Sequence, residues 1–178
     1  EDRIVKPTIS GLQKEGILYK GFIFIGLMNV KGEPIVIEYN ARMGDPETEV
    51  VIPRLKNDLV EMFQAVADNS LHNITIETDP STAVTVMLVS GGYPGDYAKG
   101  KIITGTENCD DSIIFHAGTD MSNGKLVTSG GRVIAITSMG KGISEAVSRS
   151  LKYAETIQYD QKYFRKDIGQ DLMDTVKN

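Results

Sequence analysis

Cysteine is nearly absent from this chain of 178 residues: Cys109 stands alone, which excludes an internal disulfide and any cysteine-cluster zinc site. Histidine is as scarce, with only His72 and His116, so a His-rich metal centre is excluded too. No apolar run approaches the ~20 residues that a bilayer-spanning helix needs; the longest, Phe22 to Met28, is the length of a strand. Basic charge is in deficit. The 19 Lys+Arg against 24 Asp+Glu leave a net charge of −5, without the overall basic field that non-specific duplex binding draws on. No repeat of roughly 20–50 residues and no low-complexity stretch is found. The start, Glu1-Asp2-Arg3, carries neither an initiator Met nor a charged-then-apolar leader. The expectation is an excised piece of a cytoplasmic protein from a reducing compartment, with no nucleic-acid or membrane partner.

What is present in excess is glycine, 18 residues, about a tenth of the chain against a usual ~7%. The hydrophobic share of 40% is enough for a real core. At ~100–200 residues per domain the length suits one domain or two small ones.

Residues 1–16 are partly helical by the spacing of Val5, Ile9 and Leu12, with Pro7 in a first turn and Gly16 as the stop. The β-rich run from Tyr19 to Val30, a turn at Lys31-Gly32-Glu33-Pro34 and a second strand from Ile35 to Asn40 predict a hairpin over 21–40. The segment 42–53 reads as a loop, and Leu59, Met62, Phe63 and Val66 trace one helix face. A boundary falls at Thr78-Asp79-Pro80. Beyond it, Ala83–Val89, Ile102–Thr104, Ile113–Phe115, Leu126–Thr128 and Arg132–Thr137 read as strands. Ile143, Val147, Leu151 and Ala154 mark an amphipathic helix, and the tail from Tyr163 has a weak helical pattern.

The most informative stretch is Ile35-Val36-Ile37-Glu38-Tyr39-Asn40-Ala41-Arg42. Strand side chains alternate, so Glu38, Asn40 and Arg42 share one face and Ile35, Ile37, Tyr39 and Ala41 the other. A carboxylate and an amide oxygen suit Mg²⁺, which takes one or two protein oxygens and fills the rest from phosphates and water. Arg42 suits a phosphate or a carboxylate. An ordinary wet strand face, with Glu38 and Arg42 paired, fits the same spacing. The acids Asp45, Glu47 and Glu49 follow directly in a Gly/Pro-fixed loop. In the second half, Gly140-Lys141-Gly142 precedes a helix and reads either as an anion site or as a plain helix start. His116 reads as a satisfied structural histidine or a substrate contact, and Cys109 lies in a polar turn with no role assigned.

Val36-Ile37-Glu38-Tyr39-Asn40-Ala41-Arg42-Met43-Gly44-Asp45-Pro46-Glu47-Thr48 closely resembles the signature of the phosphoribosylamine–glycine ligases. The resemblance continues through Pro53–Glu61, Ser90–Tyr97, Phe115–Thr119, Gly130–Val133 and Arg165–Gly169, in family order and over nearly the whole chain. Ala41 stands where Cys is expected, Met43 for Phe and Glu49 for Gln, and none of these removes a proposed ligand. The resemblance implies an α+β fold. Residues 1–78 would be the C-terminal part of an ATP-grasp domain, an antiparallel sheet with helices, and 79–178 a small β-rich C-terminal domain. The N-terminal part of the same chain would be a missing partner. The implied reaction joins glycine to 5-phosphoribosylamine through a glycyl phosphate, with ATP as co-substrate and Mg²⁺ or Mn²⁺ as metal. In those roles Glu38 and Asn40 are metal ligands, Arg42, Asp45 and Glu47 catalytic or substrate-ordering, and Leu27 and Met28 neighbours of the adenine or plain core. The second metal carboxylate that ATP-grasp enzymes often carry on the preceding strand has no counterpart in Phe22–Met28. Another ATP-grasp carboxylate–amine ligase, or a non-catalytic nucleotide- or partner-binding module, remains an alternative.

Overall fold

The computed structural model describes residues 1–176, with side chains through Met173. The chain divides into two compact units. One comprises Glu1–Asp45 and Asn57–Glu77, the other Pro46–Lys56 and the residues from Thr78 onward.

The first unit opens with α1 (Val5–Lys14), in which Pro7 occupies the first turn, where its missing N–H breaks no helical bond. The antiparallel hairpin of β1 (Phe24–Val30) and β2 (Glu33–Asn40) follows, joined by the two residues Lys31 and Gly32 in left-handed conformation. The turn is therefore shorter than the expected four residues, and Glu33 and Pro34 belong to β2. The register runs Phe24 to Asn40, Ile25 to Tyr39 and Gly26 to Glu38, then shifts so that Leu27 faces Val36 and Met28 faces Ile35. Ile37 is the extra residue of this bulge. Strict alternation along β2 therefore breaks, and Ile35 pairs with Met28 on the Glu38 side instead of sharing the face of Ile37 and Tyr39.

Helix α3 (Leu59–Ala67) completes the unit. It is capped by Asp58, whose Oδ1 accepts the N–H groups of Val60 at 2.8 Å and Glu61 at 3.1 Å. Phe63 meets Phe22 edge to face at 6.1 Å between centroids. Asn57 ties in the following segment, donating to the Thr75 carbonyl at 2.9 Å and accepting from the Glu77 N–H at 2.7 Å. Among the described hydrophobic side chains of this unit only Ala65 is buried, while Leu18, Met28, Ile37 and Tyr39 are at least half exposed.

The second unit begins with α2 (Thr48–Val51) and a 3₁₀ turn at Ile52–Arg54, where a loop was expected. Pro53 is compatible with helix here because it sits at the start of the 3₁₀ turn. The core is a three-stranded antiparallel sheet in the order β3 (Thr82–Val89), β7 (Arg132–Gly140), β4 (Ser112–His116). The central strand β7 is buried from Val133 to Ser138, as its continuous apolar run requires. Helix α4 (Ile143–Thr156) packs on the sheet through Ala146, Val147, Tyr153 and Ala154, and Ser150 Oγ donates to the Val84 carbonyl at 2.9 Å.

A second hairpin joins β5 (Thr119–Ser122) to β6 (Lys125–Thr128). Strand β5 was not foreseen, since Asp120 and Ser122 break any apolar pattern. Ile102–Thr104 forms only single bridges, Ile102 to Val127 and Thr104 to Gln158, not a strand. Helix α5 (Gln170–Val176) ends the described chain. Among the described residues, no helix is long and apolar enough to cross a membrane.

Candidate metal centre

The hairpin brings Glu38 and Asn40 together on one face. Asn40 Nδ2 donates to Glu38 Oε1 at 3.2 Å, leaving Asn40 Oδ1 and the remaining carboxylate lone pairs for a cation. Directly across from Glu38 stands Gly26, and a Cβ at that position would lie 2.9 Å from Glu38 Cγ. The glutamate side chain therefore leans over β1 into space that any other residue would fill. From the sequence, this glycine was assigned no place beside Glu38. Its only signal in the sequence was a glycine inside an apolar strand run.

The donor set is all oxygen, one carboxylate and one amide, as a hard divalent cation prefers. Among the described residues no three His, Cys, Asp or Glu side chains gather into a metal-holding group. An apolar cleft of about 200 Å³, lined by Thr8, Leu12, Tyr19, Ile23 and Tyr39, reaches Asn40.

Arg42 follows two residues after Asn40 and is exposed. Its Nη1 donates to the Met43 carbonyl at 2.8 Å, so the alternative in which it is spent on Glu38 is not realised. Asp45 is exposed at the end of the first unit and engaged with a neighbour. Glu47 lies in the second unit, exposed at the N-cap position of α2. Leu27 and Met28 are both about half exposed, but only Met28 shares the Glu38 face, because Leu27 points to the other side of β1.

The other residues singled out in the second unit have partners within that unit. His116 Nδ1 is bonded to Thr119 Oγ1 at 3.0 Å. At the start of α4, Glu145 Oε2 accepts the Lys141 N–H at 2.8 Å while its Oε1 meets Arg149 Nη2 at 2.8 Å, so the helix supplies its own anion. Arg165 holds Asp167 with two bonds of 2.9 and 2.8 Å. Cys109 is buried in the core, not placed in a solvated turn, and burial together with Asp110 and Glu107 pushes its thiol pKa up.

Comparison with known proteins places both halves of the chain. The family described as phosphoribosylglycinamide synthetase, C domain, matches residues 83–171, and its ATP-grasp (A) domain matches residues 1–48. A phosphoribosylamine–glycine ligase of Caldanaerobacter subterraneus is 44% identical over 169 residues, covering 95% of this chain and 40% of that protein. One from Pseudomonas aeruginosa is 43% identical over 171 residues, 94% of this chain and again 40% of the relative. The chain thus spans about two fifths of the length of the curated relatives it matches. The crystal structure of the phosphoribosylamine–glycine ligase of Thermotoga maritima superposes with a TM-score of 0.74 at 38% identity, over 90% of this chain and 40% of that one. A biotin carboxylase of Campylobacter jejuni shares the fold alone, with a TM-score of 0.58 at 14% identity over 97% of this chain and 39% of that one.

Proposed function

The chain belongs to the phosphoribosylglycinamide synthetase family, the phosphoribosylamine–glycine ligases, and on that footing we propose that it is the C-terminal part of such a ligase. The full-length enzyme would join glycine to 5-phosphoribosylamine at the expense of ATP, giving glycinamide ribonucleotide, ADP and phosphate in purine biosynthesis. The observation that carries this reading is the Glu38–Asn40 oxygen pair, set on a hairpin within the segment that matches the family's ATP-grasp domain.

Glu38 and Asn40 would hold Mg²⁺ or Mn²⁺. The chemistry supplied at this pair when such an ion is bound would be positive charge to offset the negative charge that builds during phosphoryl transfer. The contact between the two side chains orients them before any ligand arrives, so little reorganisation is needed at the moment of reaction. Arg42 has N–H groups beyond the one given to Met43, and its planar fork suits the oxygens of a phosphate or of the glycine carboxylate. Asp45 and Glu47 are proposed to order substrate. Met28 is proposed as the apolar surface for the adenine, since it lies on the same face as Glu38.

The grip on ATP would come from the preceding part of the full-length chain. The length of the relatives supports this, since the chain covers 40% of them. A cytoplasmic location is proposed with the biosynthetic role. The test is to assay the full-length gene product with ATP, Mg²⁺, glycine and 5-phosphoribosylamine. ADP release that depends on both substrates is the expected result, and release indifferent to glycine would overturn the reading.

A further inference from the structure

We propose that Gly26 is a positioning residue for the metal-binding carboxylate, acting through Glu38; the inference rests on the metal role proposed for that residue. Directly opposed residues in an antiparallel pair normally hold their Cβ atoms about 4.5–5.5 Å apart, each side chain standing over its own strand. At the Gly26–Glu38 pair the arrangement differs. Glu38 Cγ lies 2.9 Å, and Oε1 3.7 Å, from where a Cβ of residue 26 would be. The Glu38 Cγ methylene therefore occupies the volume of the missing side chain, with Oε1 at ordinary contact distance, and the carboxylate so placed meets Asn40 Nδ2 at 3.2 Å.

The neighbouring pairs of the same face, Phe24 with Asn40 and Met28 with Ile35, both carry full side chains, so the gap is confined to the one position opposite Glu38. The bulge begins immediately after this pair, between Gly26 and Leu27. Gly26 has no left-handed backbone to explain it, unlike Gly32 of the turn. The requirement at residue 26 is space, and the occupant of that space is the glutamate. It follows that position 26 of β1 cannot add a ligand of its own while the Glu38 side chain takes this space.

The experiment is a double-mutant cycle on the full-length gene product, read by Mn²⁺ binding (electron paramagnetic resonance of the free ion) with a non-hydrolysable ATP analogue present. Glu38→Ala must weaken Mn²⁺ binding; if it does not, the metal reading itself fails. Given that loss, Gly26→Ala should weaken binding by roughly tenfold or more, the scale on which groups that orient metal ligands act. Unchanged affinity in Gly26→Ala would overturn the inference while leaving the metal site intact. In the Glu38→Ala background the same change should have no further effect, and an undiminished tenfold loss there would show a general disturbance of the hairpin and also overturn it. Should Gly26→Ala alone fail to fold, the double variant should recover folding, because the next backbone atom is 3.7 Å away; its failure would count against the proposal.

Discussion

Tyr93 lies flat enough against Gly131 that a Cβ on the glycine would stand 2.2 Å from its Cδ2 and 3.0 Å from Tyr97 Cε1. The two tyrosines meet edge to face at 6.2 Å, and Ser90 bonds to this corner twice, its N–H to the Gly131 carbonyl at 2.8 Å and its Oγ to the Gly130 carbonyl at 2.9 Å. The glycine-rich blocks around residues 90–97 and 130–131 thus serve one another, aromatic ring against bare backbone.

Gly131→Ala should therefore destabilise the second unit by about 1–3 kcal/mol, the usual cost of overpacking a tight site. Gly11→Ala is the contrasting case: in α1 its Cβ would meet nothing within 4 Å, and helix propensity favours alanine by about 1 kcal/mol. Urea denaturation of the two variants should shift in opposite directions.

In the full-length gene product, Glu38→Gln and Asn40→Ala should each lower kcat by roughly a hundredfold, comparable to losing one donor that stabilises transition-state charge. Added Mn²⁺ should recover part of that loss if affinity is what was impaired. Wild-type turnover in both variants would remove the pair from the site.

Asp58→Ala should cost about 0.5–2 kcal/mol, because its carboxylate accepts two otherwise unpaired N–H groups of α3. Asp58→Asn, which keeps an accepting oxygen, should recover most of it in the same denaturation assay.

Alkaline pH should weaken the second unit. Burial raises the pKa of the Cys109 thiol above its ordinary 9.0 and that of the Tyr159 phenol, which donates to the Val89 carbonyl at 3.0 Å, above its ordinary 10.0. Groups raised in the folded state contribute stability that is complete below their unfolded values and is lost as pH climbs through the folded ones. Urea midpoints should fall from about pH 9 upward. Tyr159→Phe should flatten the upper part of that decline, and Cys109→Ala the lower part.

Much of this was legible in the residues. The apolar run of Arg132–Thr137 read as a strand, and the spacing of Ile143, Val147, Leu151 and Ala154 as an amphipathic helix, and both are present. The Glu38–Asn40 face followed from simple alternation. The failures have local causes. Alternation could not reveal the extra residue at Ile37, because a bulge leaves no mark on composition, and so Ile35 was assigned to the wrong side. Pro53 suggested a loop where it opens a 3₁₀ turn. Cys109 looked solvated because its sequence neighbours are acidic, yet its burial is decided by the sheet and helix around it. Strand β5 is held by pairing with β6, a partner that its own polar sequence does not announce.

The bulge at Ile37 also acts as a joint in the hairpin's phase. On the turn side, Val36 and Leu27 face each other, while on the site side Glu38 faces Gly26. β1 runs through this point without an extra residue, so its own alternation sets the face of each pair on both sides of the bulge, and β2 absorbs the additional residue. Deleting Ile37 would join the two stretches into one continuous ladder in which Val36 keeps Leu27 and Glu38 keeps Gly26, each on its present face. The extra residue is therefore a local kink in β2, and the side on which the Glu38 carboxylate stands is set by its pairing with Gly26.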